Sequence, residues 1–313
     1  MKTSNPSLRL FAGAALLACT AANAPDYALK PQRIADGVFW FEGVDEHFTR
    51  SNGGNIANTG FIVGRDGVVV IDTGPSKLYG QQMRAQIDKA SGGKPIAEVL
   101  ITHAHPDHFL GNQAFAGAPI EALPATVTTI TQQGETLSAN LYRLVGAWMQ
   151  GTEVRAPTPL AQTGERSIAG RRLRLIALTG HTESDLVVFD EASGTLFAGD
   201  LVFFHRAATT PNADIAHWLA SLDQLQKIDF RQLVPGHGPI VHGPEAIAET
   251  RAYLSWLRDS LKQAAANGLD MVEVMNAPIP ERFRKLAVVD EEHTRSVSHL
   301  YPKLEIEALP PAK

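Results

Sequence analysis

Between about residues 30 and 200 the hydrophobic positions fall into short β-rich runs separated by turn residues. Gly37-Val38-Phe39-Trp40-Phe41 has the aromatic and β-branched content of a strand. Phe61-Ile62-Val63-Gly64 and Val68-Val69-Val70-Ile71 flank Arg65-Asp66-Gly67, which predicts a hairpin closed by a tight turn. A helical stretch from Gly80 to Ala90 follows, then an apolar strand from Ala97 to Thr102. This β-β-α-β order is that of a layered α/β sheet.

The second half repeats the theme. Arg172 to Leu178 reads as a strand, and Leu186–Phe189 with Leu196–Ala198 as a hairpin around Glu191-Ala192-Ser193-Gly194. Each hairpin ends in an aspartate where the apolar strand runs out, Val70-Ile71-Asp72-Thr73-Gly74 in one and Phe197-Ala198-Gly199-Asp200 in the other. That echo predicts two related halves packed face to face. Residues 217–226 and 244–266 read as helices, with Trp218, Leu219, Leu222 and Leu225 at helical spacing and Trp256 and Leu257 on an apolar face. Ala139 to Gln150 is also helical, with Tyr142 and Trp148 either lining a cleft or simply packing beside it, and Pro310 to Ala312 form a frayed end.

Composition adds bounds. A chain of 313 residues with 44% apolar and 19% charged side chains is an ordinary globular chain, long enough for one large α/β domain with a helical appendage. Net charge is −5, and no Lys/Arg cluster of the density that tracks phosphates is present, which argues against a nucleic-acid partner. The first 24 residues read as an export signal. Lys2 and Arg9 precede a short apolar run from Leu10 to Ala18, too short to span a bilayer. Two endings remain open. Ala22-Asn23-Ala24 has a small-x-small cleavage pattern but is followed by Pro25. Leu16-Leu17-Ala18-Cys19 resembles a lipobox, which would anchor the periplasmic protein to a membrane through a lipidated Cys19. Cys19 is the only cysteine, so no internal disulfide supports the fold.

The chemistry is concentrated at strand ends. Val99-Leu100-Ile101-Thr102 runs into His103-Ala104-His105-Pro106-Asp107-His108, three imidazoles and a carboxylate in six residues. Buried His and Asp are costly without partners, and Pro106 excludes a helix interior, so a turn aiming several donors at one point is expected. Thr179-Gly180-His181, Gly199-Asp200 and Pro235-Gly236-His237-Gly238 each place one more metal-competent side chain beside a glycine at the end of a strand. Imidazole and carboxylate donors suit zinc, iron or manganese.

HxHxDH, Gly-His, Asp and Pro-Gly-His-Gly in this order resemble the metallo-β-lactamase superfamily over about residues 35–245. The resemblance implies a four-layer αβ/βα sandwich with metals at one edge of its two sheets. It assigns His103, His105 and His181 to one divalent ion, Asp107, His108 and His237 to a second, and Asp200 to both. Asp72 matches the family's early aspartate, a group that orients ligands from behind. Expected divisions are a signal over 1–24, a metallo-β-lactamase domain over 30–245, and a C-terminal helical extension over 246–313.

Asp200 is itself informative: the best-known β-lactamases of this fold carry Cys there, whereas an aspartate resembles glyoxalase II and favours two occupied sites, most naturally zinc. A narrower similarity rests on Asn52–Phe61, Gly199–Phe203, Trp218-Leu219 and Tyr301–Glu305. It resembles the quinoprotein relay system zinc metallohydrolases, exported proteins associated with quinoprotein dehydrogenases. The implied activity is hydrolysis of a small ester, thioester, lactone or related bond, with a water shared by two cations as nucleophile and Asp107 as its proton acceptor. A β-lactamase in the strict sense and a non-catalytic metal-bearing binding protein are the alternatives. Asn52–Asn58 reads either as a flap over the substrate or as a plain turn. His205 reads as a structural histidine, and His47, His217, His242, His293 and His299 as surface or core residues.

Overall fold

Strands that are apolar on both faces need cover on both faces, and that requirement organises the molecule. The computed structural model describes residues 25–308. The leader, Cys19 and the Pro310–Ala312 end read from the sequence lie outside the described residues.

One sheet runs in chain order, β1 (Gln32–Ala35), β2 (Val38–Phe41), β3 (Thr59–Val63), β4 (Val68–Ile71), β5 (Ile96–Ile101), β6 (Ile120–Ala122) and β7 (Thr158–Pro159). It is antiparallel as far as β4 and parallel from β4 to β7. The other sheet contains β8 (Gly164–Ile168), β9 (Arg171–Leu178), β10 (Asp185–Asp190), β11 (Thr195–Phe203) and β12 (Gln232–His237), in the order β12-β11-β10-β9-β8. It too is an antiparallel meander that ends in a parallel pair, β11 with β12. Two sheets built alike are the two halves the hairpin echo predicts.

Alternate residues of the central strands serve different layers. Val68 and Val70 of β4 pack outward against helices α1 (Lys77–Ser91), α2 (Pro106–Phe109) and α3 (Pro124–Val145), in a cluster that includes Met83, Ile87, Phe109 and Ile130. Val69 and Ile71 point inward and meet Leu186, Val188 and Phe197 of the opposite sheet. Val187 and Phe189 point outward on the far side, into a cluster formed with α4 (Ile215–Leu225), α5 (Glu245–Ala266), α6 (Met271–Met275) and α7 (Val289–Ala308). The result is helix, sheet, sheet, helix, a four-layer αβ/βα sandwich. Each fully buried Val, Leu or Ile contributes roughly 1.5–3 kcal/mol by leaving water.

The structure extends several elements. α1 begins at Lys77 because Ser76 caps it, its hydroxyl accepting from the Tyr79 amide at 3.1 Å, and it ends at Gly92. α3 is longer at its start and stops earlier than the Ala139–Gln150 reading. Gly146 breaks it, and a tight turn over Gly146–Met149 follows. Trp148 of that turn covers Gly53 and Tyr27 rather than a cleft. β1 and β8 do not stand out in the sequence because they are edge strands with charged, half-exposed faces.

Two polar devices hold the halves in register. Arg166 of β8 donates to Glu98 of β5 and to Glu121 of β6, each at 2.9 Å, tying one sheet to the other. Asn58, buried before β3, donates from one amide nitrogen to the carbonyls of Pro235 and Gly238 at 2.9 and 2.8 Å, and so fixes the turn after β12 against the first half.

Candidate metal centre

The loops that leave β4, β5, β9 and β12, together with the middle of β11, meet at one edge of the sandwich. The carboxyl ends of parallel strands are where α/β sheets expose groups for ligands. His103 follows β5, and Pro106 occupies the first position of α2, where a missing N–H costs nothing. The expected turn is therefore one turn of helix, carrying Asp107 and His108 on its buried side. His181 follows β9, Asp200 lies within β11, and His237 ends β12.

All seven residues converge. One ligand atom each from His103, His105, His181 and Asp200 lie within 4.8 Å of one another, and the same holds for Asp107, His108 and His237. Asp200 sits between the two groups. Its Oδ2 is 3.7 Å from His103 Nε2, 3.4 Å from His181 Nε2 and 3.2 Å from His237 Nε2, while its Oδ1 is 3.2 Å from His108 Nε2.

Partners behind the rings decide which nitrogens face inward. His108 Nδ1 donates to Asp72 Oδ2 at 2.7 Å, and His237 Nδ1 donates to the Ile56 carbonyl at 2.8 Å, leaving both Nε2 lone pairs for the centre. The Thr102 hydroxyl gives its hydrogen to Asp72 Oδ2 at 2.8 Å, so it accepts from His103 Nδ1 at 3.0 Å. His105 turns the other way, its Nε2 donating to Asn212 Oδ1 at 3.1 Å while Nδ1 points in. His105 Nδ1 is 3.0 Å from His103 Nε2 and 2.9 Å from His181 Nε2. With the hydrogens of His103 and His105 committed elsewhere, no hydrogen bond joins those two nitrogens. Their lone pairs face one another across a space suited to a cation.

The electrostatics say the same. Burial, and then the neighbouring His108, push His103 well below the ordinary imidazole range, and burial likewise lowers His181 and His105. Burial opposes charge on His108 too, yet the carboxylates of Asp200, Asp72 and Asp107 hold it well above that range. Asp200 resists burial's upward push because His237, His108 and His103 surround it, and it lies well below the carboxylate range. His108 Nε2 and Asp200 Oδ1 are buried and have no hydrogen-bond partner among the described residues. The neutral nitrogens of His103, His105 and His181 and the Asp200 carboxylate fit a divalent cation held by N and O donors, and at His108 the carboxylates that hold a proton would hold a cation in its place.

Close packing shapes the site. A Cβ on Gly236 would lie 1.9 Å from Asp200 Oδ1, and one on Gly180 would lie 2.2 Å from Trp218 Cα, so neither position admits a side chain. Asp72 has φ of 57°, a conformation that Asp tolerates better than most residues, and Thr102 holds it there through both amide and hydroxyl.

Residues 52–237 match the family model of the metallo-beta-lactamase superfamily, more than half of the chain. The chain belongs to the metallo-β-lactamase superfamily. Among relatives in that superfamily, a linear primary-alkylsulfatase of Pseudomonas sp. (strain ATCC 19151) is 24% identical over 260 residues, 68% of this chain. The match spans about half (48%) of the alkylsulfatase's own length. An acyl-coenzyme A thioesterase of Gallus gallus, MBLAC2, is 28% identical over 240 residues, 67% of this chain and 80% of that protein. A hydroxyacylglutathione hydrolase of Synechococcus sp. (strain JA-3-3Ab) is 28% identical over 143 residues, 45% of this chain and 49% of that one. A metallo-β-lactamase from Pontibacter korlensis shares the fold with a TM-score of 0.59 at 22% identity, covering 72% of this chain and 99% of its own. The protein is a metal-dependent hydrolase of this superfamily.

A cleft of about 480 Å³ opens over the centre, with His105, Asp107, Asp200 and His237 in its floor. Its walls differ from the sequence reading. Leu137, Leu141 and Leu144 of α3 line it rather than Tyr142 or Trp148, and Ile56 of the Asn52–Asn58 loop forms part of the wall. That loop is built in rather than solvated, for Gly53, Gly54 and Ile56 are buried. His47 lines the cleft as well, a role that sequence spacing does not show. His205 is exposed, stacked on Phe204 and outside the cleft. Arg206, its neighbour, is inside it.

Proposed function

We propose that the protein is an exported dinuclear hydrolase that cleaves a small ester, thioester, lactone or related acyl bond. The observation that carries this reading is Asp200, placed between two groups of inward-facing donors at the floor of a cleft. His103, His105, His181 and Asp200 would hold one ion, and Asp107, His108, His237 and Asp200 the second, with zinc the best match to three neutral imidazoles and carboxylates. Two such ions would supply an acidified water and a Lewis acid for the acyl oxygen.

The chain's own residues do the rest. Asp72 orients His108 directly and His103 through Thr102, so that both rings keep one tautomer. Asp107 lines the cleft, and no donor among the described residues binds its carboxylate. It therefore remains open to take the proton of the attacking water and return it to the leaving group. Ile56, Leu137 and Leu141 exclude bulk water from the side where an acyl chain lies. The thioesterase and hydroxyacylglutathione hydrolase relatives support acyl transfer to water over other hydrolyses. The leader-like first 24 residues support export, with or without a lipid on Cys19. The Asn52–Phe61 and Tyr301–Glu305 stretches support service beside a quinoprotein dehydrogenase.

A substrate panel tests the reading on zinc-loaded protein: an aryl ester, a glutathione thioester, a lactone and a chromogenic cephalosporin. The expected result is turnover of an acyl ester, thioester or lactone that chelation abolishes and zinc restores. Preferential turnover of the cephalosporin would replace the reading with a β-lactamase. Silence across the panel with both sites filled would point to a binding protein.

A further inference from the structure

Beside the metal centre lies a second polar constellation that the chemistry above does not use, joining Arg206 and Thr209 to His47, Glu292 and Arg295 from outside the residues that match the superfamily. Its hub is Glu292, a carboxylate with no solvent exposure on the first turns of α7. Glu292 Oε1 accepts from Arg295 Nη1 at 2.9 Å and from the Thr209 hydroxyl at 2.9 Å. It also lies 3.6 Å from Arg206 Nη2 and 3.7 Å from His47 Nδ1. One carboxylate oxygen thus gathers two guanidinium groups.

Arg206 is the odd member. It is 3% exposed, yet its one hydrogen bond, to Thr209, is long at 3.4 Å, and its Nε has no partner among the described residues. Burying a guanidinium with most of its five donors unspent is costly, so a partner for it belongs in the space it lines. That space is the catalytic cleft, whose wall includes Arg206, Arg295 and His47. Phe203 links the two sites, its ring 5.0 Å from the His237 imidazole and 5.7 Å from the Arg206 guanidinium carbon.

The backbone is strained to deliver these groups. His205 and Val288 both have positive φ, 60° and 54°. They flank a parallel bridge between Arg206 and Ala287 that joins the end of β11 to the start of α7. A β-branched residue in that region is held there only when its surroundings over-determine it. Much of the remaining cleft wall is apolar: Phe48, Ile56, Leu137, Leu141 and Leu144. Leu144 is 50% exposed, an open apolar surface at the mouth.

Resting on the hydrolase reading above, we infer that Arg206 and Arg295, gathered by Glu292 of the C-terminal helix, bind an anionic group carried by the acyl part of the substrate. The substrate is an amphiphile. Its scissile carbonyl lies over the metals, a carboxylate or similar anion a few bonds away reaches the guanidinium pair, and its aliphatic portion covers the leucines of α3. Of the nearby carboxylates, Glu291 stands exposed at the rim, where solvent screens it, and burial raises Asp45 from the ordinary carboxylate range against the pull of His237 and Arg206. Arginine suits such a role because its planar fork binds a carboxylate through two parallel hydrogen bonds.

The test pairs two esters of equal chain length, 4-nitrophenyl hexanoate and mono-4-nitrophenyl adipate, which differ only in a terminal carboxylate. The zinc-loaded wild-type protein should prefer the adipate ester by about 10-fold or more in kcat/KM. Arg206→Gln should remove that preference chiefly through KM, and Arg295→Gln, on a half-exposed side chain that tolerates change, should lower it about threefold to tenfold. The neutral ester should change less than threefold in both. Because a lone Arg206→Gln would leave Glu292 buried without its cation, the charge-balanced pair Arg206→Gln with Glu292→Gln is measured beside it. Equal losses on both esters would assign the cluster a structural role, and an unchanged preference would exclude it from binding; either overturns the inference while the hydrolase reading stands. Turnover of neither ester sinks the ester reading itself. Calorimetric binding of adipate to wild-type protein, weakened in the Arg295→Gln variant, then decides the anchor separately.

Discussion

Asp107 owes its position to Pro106. Proline with φ fixed near −65° starts the single turn of α2 without losing a hydrogen bond, and the next two side chains, Asp107 and His108, are thereby aimed inward together. Asparagine at 107 keeps the shape and removes the proton acceptor. Asp107→Asn should therefore lower kcat by about 100-fold to 10,000-fold, with a melting temperature close to that of the wild type. Near wild-type turnover would remove Asp107 from the catalytic role. The seven donors are legible in the sequence because four of them crowd around Pro106 where an apolar run ends, and the other three each stand beside a glycine after apolar residues, a pattern that surface histidines lack. Arg206, His47 and Glu292 carried no such mark. They stand 86 residues or more apart in the chain, and the docking of α7 brings them together. Thr102 does leave a mark: a hydroxyl immediately before a strand-end histidine can relay to an aspartate, as it does here to Asp72.

Among the elements, legibility followed burial. β4, β5, β10 and β11 announce themselves as mainly apolar runs because both of their faces are covered. The first half of α3 hides behind Thr126, Thr128, Thr129, Thr131 and Gly134, residues of modest helix propensity. Tertiary packing of Ile130 and Leu141 overrides that propensity, and Thr128 and Thr131 return their hydroxyls to the carbonyls four residues back. β8 is polar and leaves no strand pattern in the sequence, yet its Arg166 is the strap to Glu98 and Glu121. Burial, and then the neighbouring Glu121, raise Glu98 to about 7 despite Arg166. A carboxyl raised in the folded state holds a proton that the unfolded chain has already lost, so its contribution to stability declines as pH rises from about 4.5 to about 7. Glu121→Gln removes one source of that rise. The stability of this variant relative to wild type should increase by about 1 kcal/mol between pH 5 and pH 7.5, read from denaturant melts in the presence of chelator. A flat difference across that range would place the shift elsewhere.

At the scale of the molecule, the donor groups are shared between the two sheets. His103, His105, Asp107 and His108 come from the first half, and His181, Asp200 and His237 from the second. A ligand that binds only the assembled state adds stability by mass action, about 4 kcal/mol at a thousandfold excess over its dissociation constant. Removal of metal by chelation should therefore lower the melting temperature by roughly 10 °C, and zinc should restore it. An unchanged melting curve with demonstrated metal loss would mean that the sandwich is held by its three apolar layers alone. Asn58 gives the shared site a further meaning. Its side chain in the first half holds the turn that carries His237 in the second, so the seat of that donor exists only where both sheets are joined. A centre divided in this way cannot be inherited by either half alone.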